Sequence, residues 1–157
     1  MKCLALDAMG VVFTSADDVG DLLIPFIIKQ SGTDNEEVIQ TAYLAASLGQ
    51  ISPDEFWIRV GVSPELEDTY LALHDLNPGV MELLTLAKSI GVPVWCLSND
   101  VGRWSRKLRE NLEIEQFLSG SVISGDVLTR KPDAKIYHRM MLLIARLAAS
   151  CFQHGFA

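Results

Sequence analysis

Residues Lys2–Thr14 read KCLALDAMGVVFT, an apolar run that ends on the carboxylate of Asp7. Two later stretches are built in the same way: VPVWCLSND over Val92–Asp100 and RKPDAKIY over Arg130–Tyr137. Each is an apolar run, or the loop after one, that ends on a polar residue able to hold a phosphate-like group. The three stretches therefore predict buried strands that lead into polar, functional loops.

The order of elements along the chain predicts the fold class. Strand-like runs occur at Leu4–Leu6, Val92–Leu97 and Ser121–Ile123, and Val11–Phe13 is also rich in β-forming residues. Their alternation with helical patterns indicates a three-layer α/β core with a parallel, Rossmann-like sheet. The helices expected after the first strand's region are Asn77–Ile90, Arg103–Leu112 and Asp133–Ala149.

A series of helix starts without a strand between them interrupts this alternation. Four segments between Asp17 and Leu73 begin with acids or with a Ser-Pro pair, both typical of helix N-termini. We therefore expect a helical cap over about residues 15–77. The α/β core is then formed by residues 1–14 and 78–157.

Three polar side chains are expected to meet at one edge of the sheet. Asp7 and Ser98 end strand-like runs, and Lys131 follows the third strand by a loop. Ligands of parallel sheets bind beyond the carboxyl ends of the strands. A carboxylate there can form a covalent intermediate, and a hydroxyl and an ammonium can hold developing negative charge. Gly10 lets the backbone turn close to a ligand, although Ser98 also fits a helix N-cap.

Composition restricts the classes of function. The 157-residue chain is 49% apolar and 21% charged, as in one ordinary globular domain with or without a small insert. Its net charge of −7 argues against nucleic-acid and acidic-membrane partners but allows a small anionic substrate. Asp7 interrupts the N-terminal apolar stretch too early for a signal peptide, so we expect a cytoplasmic protein. Its cysteines lack metal-ligand spacing and are expected to be small buried hydrophobes.

Taken together, these stretches resemble the haloacid dehalogenase-like (HAD) hydrolase superfamily, in its helical-cap subfamily. The family's first motif is a hydrophobic strand followed by Asp-x-Asp-Gly, which Asp7 and Gly10 match. Its second ends in Ser or Thr, often followed by Asn, as at Ser98 and Asn99. Its third is a Lys, commonly in Lys-Pro-Asp-x-x-x-Tyr, and Lys131 begins such a sequence. The resemblance covers nearly the whole chain.

This resemblance implies a hydrolase that acts on a small phosphorylated metabolite. Asp7 would be the nucleophile, and Lys131 the second catalytic residue. Asp7 and the backbone carbonyl of Met9 would hold Mg²⁺. The residues implied to bind substrate are Gly10, Ser98 and Asn99.

Met9 is the first departure from the family pattern. Phosphatases of the family have at this position a second Asp, the general acid that protonates the leaving oxygen. A thioether cannot do this, and general acid catalysis is typically worth ~10²–10⁴-fold. Members that break carbon–halogen bonds also lack this Asp, because halide leaves without a proton. Met9 therefore weakens the phosphatase interpretation and leaves a dehalogenase-like one open.

The end of the chain is the second departure. The family's fourth motif, a strand followed by Mg²⁺-binding acids, should fall near Ser150–Phe156, yet no Asp or Glu follows Asp133. We therefore expect weak Mg²⁺ binding and shortened or missing C-terminal strands. The apolar stretch MMLLIARLAA at 140–149 would then need another surface to bury it. This predicts a homodimer or a marginally stable monomer. A catalytically inactive, truncated HAD-like domain is the remaining alternative.

Overall fold

A parallel three-stranded sheet forms the centre of the fold. The computed structural model describes residues 2–154, with side chains through residue 149. Strands β1 (Leu4–Leu6), β2 (Val94–Ser98) and β3 (Gly120–Ile123) lie in the order β1-β2-β3 and are all parallel. The predicted parallel α/β core is thereby confirmed.

The register of the sheet aligns the ends of its strands. Leu6 pairs with Cys96, and Ser98 pairs with Ile123. Because the strands are parallel, their carboxyl ends meet at one edge, where Asp7 directly follows β1 and Ser98 ends β2. This edge is where the predicted site residues come together.

Helices fill the region between β1 and β2 and cover both faces of the sheet. Every element from Val19 to Leu71 is helical, beginning with a π-helical turn at Val19–Leu23. The division into a cap over residues 15–77 and a core stays a prediction. The α-helices are α1 (Ile24–Lys29), α2 (Glu36–Ser47), α3 (Pro53–Arg59), α4 (Glu67–Leu71), α5 (Val80–Ser89), α6 (Gly102–Asn111), α7 (Ser124–Val127) and α8 (Ala134–His154).

Two hydrophobic clusters lie on opposite faces of the sheet, because side chains alternate along a strand. Cys96 points to the larger cluster, which includes Leu84 of α5 and Leu108 of α6. Trp95 points the other way, to a smaller cluster with Ile136 of α8. The sheet is therefore the middle of three layers, and the larger cluster continues into the helical region between β1 and β2.

Helix α8 buries only one side of its apolar surface. Ile136 and Met140 are buried against the sheet, whereas Met141 and Leu142 are 64% and 58% exposed. The backbone of α8 continues through 150–154, where the family's fourth-motif strand would be expected. Residues 155–157 lie outside the described residues. Whether the exposed side of α8 supports a homodimer stays a prediction.

Two details differ from the expectations drawn from sequence. The β-prone Val11–Phe13 segment forms a turn that ends in isolated bridges at Phe13 and is not a strand, because the N–H groups of Val11, Val12 and Phe13 all donate to the carbonyl of Ala8. Cys3 is exposed, while Cys96 is buried and burial raises the pKa of its thiol to about 12.

Among the described residues, no helix has the length and apolarity to cross a membrane.

A buried carboxylate joins α3, α4 and α6. Glu67 is 3% exposed and accepts hydrogen bonds from the indoles of Trp57 (3.2 Å) and Trp104 (2.7 Å) and from Arg103 (2.5 Å). The Lys107 ammonium lies 2.9 Å from its other oxygen. Burial opposes ionisation of Glu67, but these hydrogen bonds lower its pKa below the ordinary 4.5.

Replacing Glu67 by Ala should lower the free energy of unfolding by about 3–5 kcal/mol, because buried N–H groups and cations lose their partner. Asp68→Ala removes the exposed partner of Lys107 and should cost little. Since folding lowers the pKa of Glu67, its contribution is present above 4.5 and is lost as the pH falls. Urea unfolding at several pH values measures both effects, and equal losses in the two variants would contradict the assignment.

Candidate active site

A polar cavity of about 260 Å³ opens at the carboxyl edge of the sheet. Asp7, Met9, Ser98, Asn99 and Lys131 all line it, although they come from three separate parts of the sequence. The structure thus brings together every predicted site residue except Gly10. Their chemical roles stay predictions.

An ion pair joins the loop after β1 to the loop before α8. The Lys131 ammonium lies 2.6 Å from Oδ2 of Asp7 and donates a hydrogen bond to the carbonyl of Leu97 at 3.0 Å. Oδ1 of Asp7 accepts the N–H of Ala8 at 2.8 Å. The Asp7 side chain is 47% exposed and that of Lys131 18%. A ligand entering the cavity therefore meets an accessible carboxylate whose charge is balanced by a mostly enclosed ammonium.

Asn99 holds the backbone on which Lys131 is carried. Its amide nitrogen donates to the Lys131 carbonyl at 3.0 Å, and its side-chain oxygen accepts the Lys131 N–H at 2.7 Å. These reciprocal bonds fix the Lys131 loop against the end of β2. Asn99 can therefore position the lysine as well as line the cavity.

Ser98 and Gly10 occupy different positions relative to the cavity. Ser98 ends β2, is 1% exposed and lines the cavity. Gly10 lies in the turn after β1 with φ +73°, and its N–H donates to the carbonyl of Ser15 at 2.7 Å. A Cβ at Gly10 would lie 3.0 Å from that of Ala16, so both conformation and space favour glycine. Gly10 shapes the turn that leads back to the cavity.

Several lining residues were not among those predicted from the sequence. In the sequence, Asp17 and Asp18 read as acids at the start of a helical segment, and Tyr43 lies within a later helical segment with no functional motif. Arg130 stands beside Lys131 in the third stretch but was not among the predicted site residues. Their spacing from the motif residues gives no sign that the chain returns to the same cavity. The lining residues in question are Ala16, Asp17, Asp18, Val19, Tyr43 and Arg130.

The loop before α8 is also tied to the end of α2. Arg130 donates to the hydroxyl of Ser47 at 3.0 Å, and the Ser124 hydroxyl lies 2.5 Å from the Ser47 carbonyl. Ser47 is fully buried. The helix that carries Tyr43 and the loop that carries Lys131 are therefore joined through one serine.

Two buried carboxyl groups lie beside the cavity. Asp18 is 6% exposed, and burial raises its pKa to about 6, with the charges of Asp17 and Asp21 adding to the shift. Asp100 is 1% exposed, and burial, followed by the charge of Asp18, raises its pKa well above the ordinary value. Both groups therefore hold a proton at higher pH than an exposed aspartate does.

The charges that line the cavity are nearly balanced. Three carboxyl groups, of Asp7, Asp17 and Asp18, face two cations, of Arg130 and Lys131. The net charge of these five side chains is −1 when Asp18 is ionised and zero when Asp18 is protonated. Protonation of Asp18 therefore makes the cavity more favourable to an anion.

A three-layer parallel α/β core with a carboxylate–ammonium pair at the carboxyl edge defines a Rossmann-like domain with a polar site. A family model described as haloacid dehalogenase-like hydrolase matches residues 1–146. The chain therefore belongs to that hydrolase family. No curated protein matches the chain.

Solved structures share this fold at low sequence identity. A HAD family enzyme from Bacteroides thetaiotaomicron, in complex with magnesium and inorganic phosphate, superposes with a TM-score of 0.73 at 19% identity, over 89% of this chain and 77% of that one. A HAD phosphatase from Thermococcus onnurineus gives a TM-score of 0.66 at 15% identity, over 92% and 72%. An L-2-haloacid dehalogenase from Xanthobacter autotrophicus with covalently bound chloropropionic acid gives 0.58 at 15%, over 92% and 65%. These similarities show the fold and include both phosphatase and dehalogenase relatives.

The described residues do not fit a tight Mg²⁺ site. Mg²⁺ favours six oxygen ligands, usually one or two carboxylates completed by water and substrate. The Asp7 carboxylate, expected to bind it with the Met9 carbonyl, already pairs with the Lys131 ammonium and accepts the Ala8 N–H. Within residues 2–149, no three His, Cys, Asp or Glu side chains come together as a metal site. Weak Mg²⁺ binding stays a prediction.

Replacing Asp18 by Asn should stabilise the protein at neutral pH. Because folding raises the pKa of Asp18 from 3.8 to about 6, the ionised carboxylate is penalised above pH 6 by at most about 3 kcal/mol. Below 3.8 both states are protonated and the difference disappears. Urea unfolding from pH 4 to pH 8 measures this gain, and Asp34→Asn, at an exposed position that does not affect Asp18, is the control. A loss of stability at pH 8 would show that the ionised form is the favoured one.

Proposed function

We propose that the chain is a hydrolase that uses Asp7 as nucleophile on a small phosphorylated metabolite, with weak turnover. The observation that carries the proposal is the Asp7–Lys131 pair, 2.6 Å apart, in a polar cavity also lined by Ser98 and Asn99. The cavity volume of about 260 Å³ suits a small substrate. The fold similarity to a phosphate-bound HAD enzyme agrees with this substrate class.

The proposed reaction has two displacement steps at phosphorus. First, an oxygen of Asp7 forms a bond to phosphorus, the ester P–O bond breaks, and the leaving oxygen takes up a proton. Then the oxygen of a water attacks phosphorus, gives up a proton, and displaces the Asp7 carboxylate as phosphate is released. The covalent aspartyl phosphate splits one difficult step into two easier ones.

The other cavity groups then hold the phosphoryl oxygens. The Lys131 ammonium, released from part of its contact with Asp7, can stabilise the charge that develops on them. The Ser98 hydroxyl can donate a hydrogen bond to the same group. Asn99 positions Lys131 through its two backbone hydrogen bonds. Because the metal ligands fit poorly, these side chains are expected to supply most of the electrostatic stabilisation.

A dehalogenase-like reaction is the second candidate, and Met9 is the observation that favours it. A thioether lines the cavity where phosphatases of the family place an acid. In this reaction an oxygen of Asp7 displaces halide from carbon, and water then hydrolyses the ester at its carbonyl. Because halide leaves without a proton, this reaction needs no general acid at position 9, and Met9 does not impair it. Halide release from 2-chloropropionate, against phosphate release from aryl phosphates, discriminates the two candidates.

We also propose that residues 15–77 act as a helical cap over the α/β core. Asp17, Asp18 and Tyr43 bring side chains from this segment into the cavity. Such a segment can exclude water and restrict the size of the substrate. The shared hydrophobic cluster and the Arg130–Ser47 hydrogen bond hold it against the core.

Asp7→Asn should abolish phosphate release from a generic aryl phosphate, because the amide is a poor nucleophile. Lys131→Met should reduce kcat to near background, whereas the exposed Lys135→Met and Asp34→Asn should leave it unchanged. Mass spectrometry of acid-quenched wild type should detect phosphate bound to the peptide that contains Asp7. Unchanged turnover by Asp7→Asn would refute the proposal, and absence of turnover of both aryl phosphates and haloacids by wild type would favour an inactive domain.

Met9→Asp should raise phosphatase activity only modestly, and the activity should depend little on low concentrations of Mg²⁺. The new acid can protonate the leaving group, but it does not complete a metal site. Turnover by both proteins, titrated with Mg²⁺ after treatment with a chelator, measures this. Strong activation of wild type by micromolar Mg²⁺ would show that further ligands are supplied by other parts of the chain.

A further inference from the structure

We propose that Asp18 is the general acid of this site and takes the role that Met9 cannot fill. This inference rests on the proposed phosphatase function. It adds a catalytic residue at a position outside the three motif stretches. The reaction then needs no acid in the turn that follows β1.

The position of Asp18 in the cavity is the first support. Asp18 lines the same cavity as Asp7, Met9 and Lys131, yet it comes from the segment that enters the π-helical turn Val19–Leu23. Its side chain is 6% exposed, so it is screened from bulk water. A carboxyl group that is enclosed in the same cavity as the nucleophile can protonate a leaving group with little competition from solvent.

The alternatives among the other lining residues are weaker. The Lys131 ammonium is engaged by Asp7 and by the Leu97 carbonyl, and a guanidinium such as that of Arg130 does not give up its proton. Tyr43 is buried, and burial raises its phenol pKa well above 10. Asp17 is exposed and accepts the N–H of Gly20 at 3.1 Å. Asp18 is the enclosed carboxyl group that remains among the described lining residues.

The surroundings of Asp18 raise the pH at which its carboxyl group loses its proton. Burial, with the charges of Asp17 and Asp21, raises its pKa to about 6, which is close to the ideal for an acid that works near neutrality. Asp100 and Tyr70 also interact with it electrostatically. The titratable and charged groups around the site, from its own segment and from the elements packed there, are Asp7, Asp17, Asp21, Tyr43, Tyr70, Asp100, Arg130 and Lys131.

The proton balance closes over one cycle. As the ester P–O bond breaks, the Asp18 carboxyl O–H transfers its proton to the leaving oxygen, and an alcohol departs. The Asp18 carboxylate then takes a proton from the water that attacks the aspartyl phosphate. Phosphate leaves, Asp7 is regenerated as a carboxylate, and Asp18 again carries its proton.

Two esters of similar shape test this assignment through kcat/KM, which reports the steps up to loss of the leaving group. Phenyl phosphate needs a proton on its leaving oxygen, whereas dinitrophenyl phosphate does not. Asp18→Asn should lower kcat/KM for phenyl phosphate about 10²–10⁴-fold and change that for dinitrophenyl phosphate little. Asp34→Asn, at an exposed position outside the cavity, is the matched control and should behave like wild type. Asp18→Asn/Met9→Asp should recover part of the lost activity.

The pH dependence of the wild type provides a test without any variant. For phenyl phosphate, kcat/KM should fall tenfold per unit of pH above about 6, and for dinitrophenyl phosphate this fall should be much smaller, because only the weaker binding of the anion remains. Equal effects of Asp18→Asn on both esters, or the same pH profile for both, would overturn the assignment while Asp7→Asn still abolishes turnover. If wild type hydrolyses neither ester, the proposed function and this inference fail together.

Discussion

The ion pair between Asp7 and Lys131 is the interaction on which the site depends. It connects the loop after β1 with the loop before α8, and it exists only because three parallel strands end at the same edge. The Leu97 carbonyl and Asn99 hold Lys131 from the side of β2. Each strand therefore contributes one part of a single polar arrangement, and the hydrophobic clusters on both faces fix the strands that carry it.

The sheet and its motif residues could be predicted because their signals are local. An apolar run ending on Asp7, Ser98 or the loop of Lys131 identifies a buried strand and its polar end, and parallel topology then brings the ends together. Val11–Phe13 was misjudged because β propensity does not register a competing turn. There the Ala8 carbonyl accepts several N–H groups, and Gly10 takes a left-handed conformation. The sequence does not predict α7, because the helix is too short to show a helical pattern of apolar residues.

The remaining half of the cavity could not be predicted because it depends on how distant segments pack. Asp18 looks like any first-turn acid in the sequence, and nothing local indicates that it is buried. Tyr43 has the spacing of a packing residue and also serves as one. Their places near Asp7 follow from the large hydrophobic cluster that draws the helical region onto the sheet. Burial then changes the chemistry of Asp18, which no composition or motif shows.

Hydrogen bonds through Ser47 connect the helical region to the loop that carries Lys131. Arg130 adjoins Lys131 and donates a hydrogen bond to the Ser47 hydroxyl. The Ser124 hydroxyl contacts the backbone carbonyl of the same serine. Movement of α2 away from the sheet would therefore displace the loop that carries Lys131 and weaken the ion pair between Lys131 and Asp7. In the proposed reaction, a substrate too large for the cavity would displace α2 and, through these bonds, Lys131, so substrate size would be linked to the Asp7–Lys131 pair.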